Sequence, residues 1–188
     1  MLTLEEKVEI FQSFDGKVID TFQTNVRRFN SKLTVWRCES DLNKSNWWNL
    51  NGADDCLDFT TNFDCYIYGI IVFGSSKYSG QHDVNINILN GSAVLDSTST
   101  TLNSVEGKQH YPINLAKRLR ILTNITYTIQ LNMKGNSCFC GTGYKTVVKI
   151  DNDARVTFTN SSSSSNGTNS TRGQIPGIIL CPAYFSRV

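Results

Sequence analysis

The chain has 188 residues, 39% of them hydrophobic, a size that suits one domain plus a short extension and that can close a full core. Its 18 Lys and Arg stand against 16 Asp and Glu, and the net charge of +2 gives no field to attract nucleic acid or an anionic membrane. The longest apolar run, residues 66–73 broken by Gly69, is far too short to cross a bilayer.

In chain order, the first pattern is helical. Leu4, Val8 and Phe11 share one face at i, i+4, i+7 spacing, Thr3 and Glu6 fit a capping box, and Gly16 supplies a stop. This predicts a short N-terminal helix over residues 3–14, too marginal to stand alone. Residues 17–34 show no period and read as a connector, so the chain divides into residues 1–34 and a domain over 35–188. From about residue 35 the pattern changes to strands. Leu57, Phe59 and Thr61 alternate. Cys65 to Phe73 is continuously apolar and predicts a strand buried on both faces. Val84, Ile86 and Ile88 alternate with Asn85 and Asn87, and Tyr127, Ile129, Leu131 and Met133 repeat the pattern. Val148 with Ile150, Val156 with Phe158, and Ile178 to Cys181 give the last strands. Turn residues punctuate them at Asn51-Gly52, Asn90-Gly91, Asp151-Asn152-Asp153 and Asn166-Gly167. Many short strands without a helical period predict an all-β fold, an antiparallel β-sandwich or barrel. The segment Asn160 to Gly173 is Ser- and Asn-rich and has a linker's composition, yet it lies between two strands of one domain.

Residues that could carry chemistry do not assemble into a motif. Cys138-Phe139-Cys140 lacks the second Cys or His pair that zinc requires, and His82 and His110 stand apart from each other and from any cysteine. His82 and Asp83 are neighbours on a strand and point to opposite faces. Asp54-Asp55 is only superficially a catalytic carboxylate pair, and there is no Gly-x-Ser-x-Gly or phosphate-binding glycine loop. The expectation is a protein that is not an enzyme and needs no cofactor or metal. Trp47 and Trp48 are the informative pair, because on a strand one faces inward and the other outward.

Six cysteines and six Asn-x-Ser/Thr sequons, at Asn43, Asn90, Asn124, Asn160, Asn166 and Asn169, would suit a secreted, disulfide-bonded glycoprotein. Against this, residues 1–7 lack the basic and apolar pattern of a secretory leader. The cysteines are scattered through a chain long enough not to need staples. A reducing, cytoplasmic location with free thiols is expected.

Three ordered blocks carry a family resemblance. Asn166-Gly167-Thr168 is followed by Gly173-Gln174-Ile175-Pro176 and then Ile178-Ile179-Leu180. Trp48, Gly52, Asp55, Leu57, Phe59, Gly69 and Gly74 form the second block, and Tyr127 to Gly135 and on to Gly141 the third. Together, over residues 35–182, they resemble the PHR domain of Pam/Highwire/RPM-type and BTB-adaptor proteins. The chain departs from the family's pattern at Trp48-Asn49-Leu50, at Ile71 and in the short loop after Gly74. Residues 1–16 are similar to the last helix of a BACK domain.

The resemblance implies an antiparallel β-sandwich with loops gathered at its ends. It implies a protein-binding module, the substrate-recognition domain of a cullin-type ubiquitin ligase adaptor. Its partner would be a protein substrate, and a cullin would be reached only through a BTB domain absent from this chain. The family match places Trp48 at a packed position and leaves Trp47 to face solvent. The candidate partner-binding residues are Trp47, Ser75, Ser76, Tyr78 and Phe139, which have little reason to be buried, bordered by Asn166, Gly167 and Thr168. The alternative is a secreted, glycosylated β-sandwich that binds carbohydrate.

Overall fold

The computed structural model describes residues 32–38, 47–151 and 153–183. The expected helix over 3–14 and the BACK-like segment lie outside them. The described part is all-β, in the order β1 (Leu33–Trp36), β2 (Trp47–Trp48), β3 (Asn51–Thr61), β4 (Cys65–Phe73), β5 (Gly80–Asn90), β6 (Ala93–Ser104), β7 (His110–Ile121), β8 (Tyr127–Gly135), β9 (Cys138–Phe139), β10 (Gly141–Thr142), β11 (Val147–Lys149), β12 (Arg155–Asn160), β13 (Arg172–Gly173) and β14 (Gly177–Pro182). Strand β1 begins at Leu33, inside the segment that reads as connector.

All strand pairs are antiparallel. A four-stranded sheet has the order β1-β14-β4-β7, and a six-stranded sheet has the order β11-β12-β3-β8-β5-β6. Two small ribbons, β2-β9 and β10-β13, complete the fold. One hydrophobic core draws on both sheets: Ile67, Ile70 and Val72 of β4 with Leu57, Phe59, Ile86, Ile88, Ile129, Leu131 and Phe158 of the larger sheet. This is the expected sandwich.

The alternations explain the layering. On β5, Val84, Ile86 and Ile88 are buried, while Asn85 and Asn87 face outward. There they bind across the sheet, Asn87 Nδ2 donating to Gln130 Oε1 at 3.0 Å and Ser99 Oγ to Asn85 Oδ1 at 2.7 Å. Each of the buried aliphatic side chains contributes about 1.5–3 kcal/mol relative to exposure. Strand β4 is central in its sheet, and seven of its nine residues are buried, as its apolar run predicts. Its register against β7 shifts between Ile67 and Gly69, where a Cβ on Gly69 would strike the Ile113 carbonyl. Only glycine permits so close a backbone approach.

Strands β6 and β7, each of 12 residues, are not indicated by the sequence patterns above. Both are edge strands. An edge strand with solvent on much of its surface needs little apolar alternation, so the hydroxyl-rich run Ser97 to Thr101 gives no local signal.

The Ser-rich segment after β12 does not behave as a linker. Strand β12 pairs with β3 up to Asn160↔Leu57, and the chain then continues alongside β3 without forming a strand. Side-chain hydroxyls replace the missing ladder: Cys56 N–H donates to Ser164 Oγ at 3.2 Å and Asp54 N–H to Ser165 Oγ at 3.0 Å. Ser165 and Asn166 N–H both donate to the Asp54 carbonyl, at 2.8 and 3.0 Å. Serine is suited to this role because its short hydroxyl reaches backbone amides close by.

Candidate functional site

The segment Ser137 to Phe139 runs between two others at one end of the sandwich. On one side β2 pairs with β9, Trp47 opposite Phe139 and Trp48 opposite Cys138. On the other side Ser75 bridges Cys138, Ser76 N–H donates to the Ser137 carbonyl at 3.0 Å, and Phe139 N–H donates to the Gly74 carbonyl at 3.0 Å. Above this floor lies a groove of about 290 Å³, lined by Trp47, Ser75, Ser76, Lys77, Tyr78, Asn136 and Ser137. Trp47 is 61% exposed and Tyr78 70% exposed, so two large aromatic side chains line the groove without cover. Trp48 packs against the core, under the Arg172 guanidinium at 5.5 Å.

Four of the residues singled out by sequence, Trp47, Ser75, Ser76 and Tyr78, therefore meet in one place, but Ser75 is buried by its bridge to Cys138, which corrects the expectation that it has little reason to be. The others do not. Phe139 is 2% exposed and belongs to the core, which corrects the expectation that it has little reason to be buried. The cause is the pairing on both sides of its strand. Asn136 and Ser137 are groove residues that the patterns above do not indicate, although Gly135-Asn136-Ser137 carries a turn signal at the end of β8.

Asn166, Gly167 and Thr168 lie outside the groove lining and buttress its floor from behind. Thr168 Oγ1 donates to Asp55 Oδ1 at 2.6 Å, and Asn166 Nδ2 donates to Asp55 Oδ2 at 3.0 Å and to the Asn49 carbonyl at 3.1 Å. The Gln174 N–H donates to Thr168 Oγ1 at 3.0 Å, and Gln174 Nε2 donates to the Phe139 carbonyl at 2.8 Å. A continuous path of buried hydrogen bonds thus leads from Asp55 through Thr168 and Gln174 to the groove floor. Gly173 has φ +125°, and a Cβ there would strike the Thr168 hydroxyl, so glycine is required for the loop to turn this close. Burial pushes the Asp55 carboxyl above its ordinary range, and the Thr168 and Asn166 donors oppose that shift.

Arg37 fastens the same loop. Its guanidinium is buried, with Nη1 donating to the Ile175 carbonyl at 3.0 Å and Nη2 to the Asn169 carbonyl at 2.8 Å. It lies 4.4 Å from the Tyr144 ring centroid and 5.0 Å from that of Phe158. Burial lowers its pKa to about 10. Among the described residues, carbonyl dipoles and ring faces stabilise the charge.

The cysteines and histidines are placed as interior residues. All six cysteines are buried. Burial pushes the Cys56 and Cys65 thiols up to about 12 and Cys138 well above its usual value, which suppresses the reactive thiolate. No group of three metal-ligating side chains occurs among the described residues. His82 Nε2 lies 3.0 Å from Ser104 Oγ, but both side chains are buried and Ser104 is spent on the Gly80 carbonyl. Among the sequons, Asn90 and Asn124 are exposed, whereas the Asn166 amide is engaged by Asp55 and Asn49.

With this geometry in place, comparison with known proteins is specific. The PHR domain family matches residues 37–181, and the chain belongs to that family. It is 28% identical over 188 residues to BTB/POZ domain-containing protein 6-A of Danio rerio, a match covering 96% of this chain and 34% of that protein. It is 27% identical over 184 residues to BTB/POZ domain-containing protein 3 of Homo sapiens, covering 96% of this chain and 35% of that protein. It is 30% identical over 151 residues to the E3 ubiquitin-protein ligase MYCBP2 of Danio rerio, covering 70% of this chain and 3% of the ligase. The chain spans about a third of the length of the BTB/POZ relatives.

Proposed function

We propose that this chain is a protein-binding module that docks a partner in the groove lined by Trp47 and Tyr78. We infer further that it is the substrate-recognition part of a ubiquitin ligase adaptor and works in the cytoplasm. The observation that carries the docking reading is the pair of uncovered aromatic side chains over a floor braced on both sides. Trp and Tyr supply large contact area at small entropic cost and dominate affinity where an interface closes over them. The ubiquitin context is supported by the occurrence of this domain in relatives named as BTB/POZ proteins and as an E3 ubiquitin-protein ligase. In this reading the docked protein is the ligase substrate, contact with a cullin belongs to a BTB domain elsewhere, and no cofactor takes part.

The test is to identify a partner by pull-down, purify it, and titrate it against the parent chain, Trp47→Ala and Tyr78→Ala. Both variants should melt within about 0.5 kcal/mol of the parent, because both side chains are exposed. Affinity should fall about thirtyfold in at least one, the equivalent of about 2 kcal/mol. Unchanged affinity in both refutes the placement.

A further inference from the structure

We propose that Asn90 is a site of spontaneous deamidation, at which water converts the side-chain amide to a carboxylate and an isoaspartyl link enters the β5–β6 hairpin. The Gly91 backbone nitrogen gives up its proton to solvent and bonds to the Asn90 Cγ. The Cγ–Nδ2 bond breaks, and the amide nitrogen takes up a proton and leaves as ammonia. Water then adds to either carbonyl of the five-membered imide. Opening on one side leaves aspartate, and opening on the other leaves isoaspartate, whose backbone runs through the former side chain. Nothing is oxidised or reduced, and water is the only co-reactant.

The sequence holds three Asn-Gly pairs, at Asn51-Gly52, Asn90-Gly91 and Asn166-Gly167, and a following glycine leaves the attacking nitrogen unshielded in each. The structure separates them. The Asn166 amide donates to Asp55 and to the Asn49 carbonyl, so attack on its Cγ would break two hydrogen bonds. A Cβ on Gly167 would already lie 3.5 Å from the Arg172 and Trp48 side chains. Asn51 Oδ1 accepts from the Ala53 N–H at 2.9 Å, and Gly52 lies against the Lys134 side chain. Asn90 is exposed, and among the described residues its amide has no hydrogen-bond partner. No atom lies within 4 Å of where a Cβ on Gly91 would stand. Asn90 pairs with Ala93, so Gly91 and Ser92 are the two loop residues of the hairpin. Gly91 has φ +58°, and Ser92 is not among the residues of positive φ, the pattern of a type II′ turn. The closing bonds of such a turn run between the flanking pair and leave the Gly91 N–H to solvent. Nucleophile and electrophile are thus adjacent, and neither is tied down. The product bears on the fold because β6 is an edge strand laddered to β5 alone. An isoaspartyl link adds a carbon to the backbone beside the closing pair, and turn geometry fixes hairpin register. The new carboxylate also lowers the net charge of +2 by one.

The experiment incubates the 188-residue chain at neutral pH, in buffer and in concentrated urea. Samples are digested over time, and the peptides carrying the three Asn-Gly pairs are followed by mass spectrometry. In urea the three should react at similar rates, because their local sequences are alike. In buffer Asn90 should react at least about tenfold faster than Asn166, which must give up two hydrogen bonds, and at least about threefold faster than Asn51, which must give up one. Electron-transfer fragmentation should find isoaspartate as well as aspartate at position 90. In the separated isoaspartyl form, amide hydrogen exchange should quicken from Ala93 to Leu95 and stay unchanged in β3. Asn90→Gln, whose attack would need a larger ring, should remove the mass change from that peptide and leave the melting curve as it is. Equal rates at the three sites in buffer, earlier reaction at Asn51 or Asn166, or an Asn90 that reacts in urea and not in buffer each overturns the proposal.

Discussion

Thr168 serves two buried neighbours with one hydroxyl, donating to Asp55 and accepting from the Gln174 N–H. Thr168→Val keeps the shape and removes both bonds, leaving a buried carboxylate and a buried amide each short of a partner. Urea denaturation should show a loss of about 1–3 kcal/mol, and Thr168→Ser should recover most of it. A value near zero would mean that the path from Asp55 to the groove floor carries no strain when cut. The Asn-Gly-Thr and Gly-Gln-Ile-Pro motifs are plain in the sequence, but not the direction they face. Their regularity comes from hydrogen bonds made inward, to Asp55 and to the Phe139 carbonyl. Phe139 is illegible for a related reason. Its burial depends on segments some sixty and ninety positions away, as the separations between Ser137 and Ser76 and between Cys138 and Trp48 show. Trp47 is legible because alternation within a Trp-Trp pair is a local property.

Among the elements, the half-buried strands are read correctly from alternation, and the two long edge strands are not. Strand β6 nevertheless holds a titratable contact in place, with Ser104 at its end meeting His82 of β5. Burial lowers the pKa of His82, and of His110, which lies 5.2 Å from the Phe73 ring and 5.0 Å from the Trp36 ring. The unfolded chain gains protons near its ordinary histidine pKa of about 6.5, and the folded chain resists them until lower pH. Stability is therefore complete above about pH 6.5 and falls as the pH drops below it. Asp55 acts in the opposite sense, since its raised pKa favours the folded state at low pH and that contribution is lost as the pH rises through the raised value. Melting curves between about pH 7.5 and pH 5 should show a falling midpoint, and a flat midpoint would mean that the two histidines titrate as they do in the unfolded chain. The Ser-rich segment belongs at this scale too. Ser164→Ala with Ser165→Ala removes the acceptors of two β3 amides. It should cost about 1 kcal/mol per bond in chemical denaturation and hasten cleavage of the loop by a non-specific protease. Composition alone reads this loop as a linker because it records which residues can bond, and not what they meet.

For the whole molecule, the sequence shows the class of fold through its strand patterns and its PHR-like blocks, while the division into sheets of four and six strands rests on long-range pairings that no local pattern contains. One of those pairings is the antiparallel contact of β1 with β14, in which Leu33 lies opposite Leu180 and Trp36 opposite Gly177. The first and last strands among the described residues are thus neighbours running in opposite directions. The polypeptide enters and leaves the domain at one edge, like a loop drawn through a single gate. A unit of this kind can be spliced into the interior of a much longer chain without wedging its flanks apart, because the gap it must bridge is a single inter-strand spacing of about 4.8 Å. The flanks then inherit a fixed mutual separation, and tension applied to them loads the β1–β14 ladder directly. Peeling that one short strand, and not shearing the whole sandwich, is the step such tension would act on first.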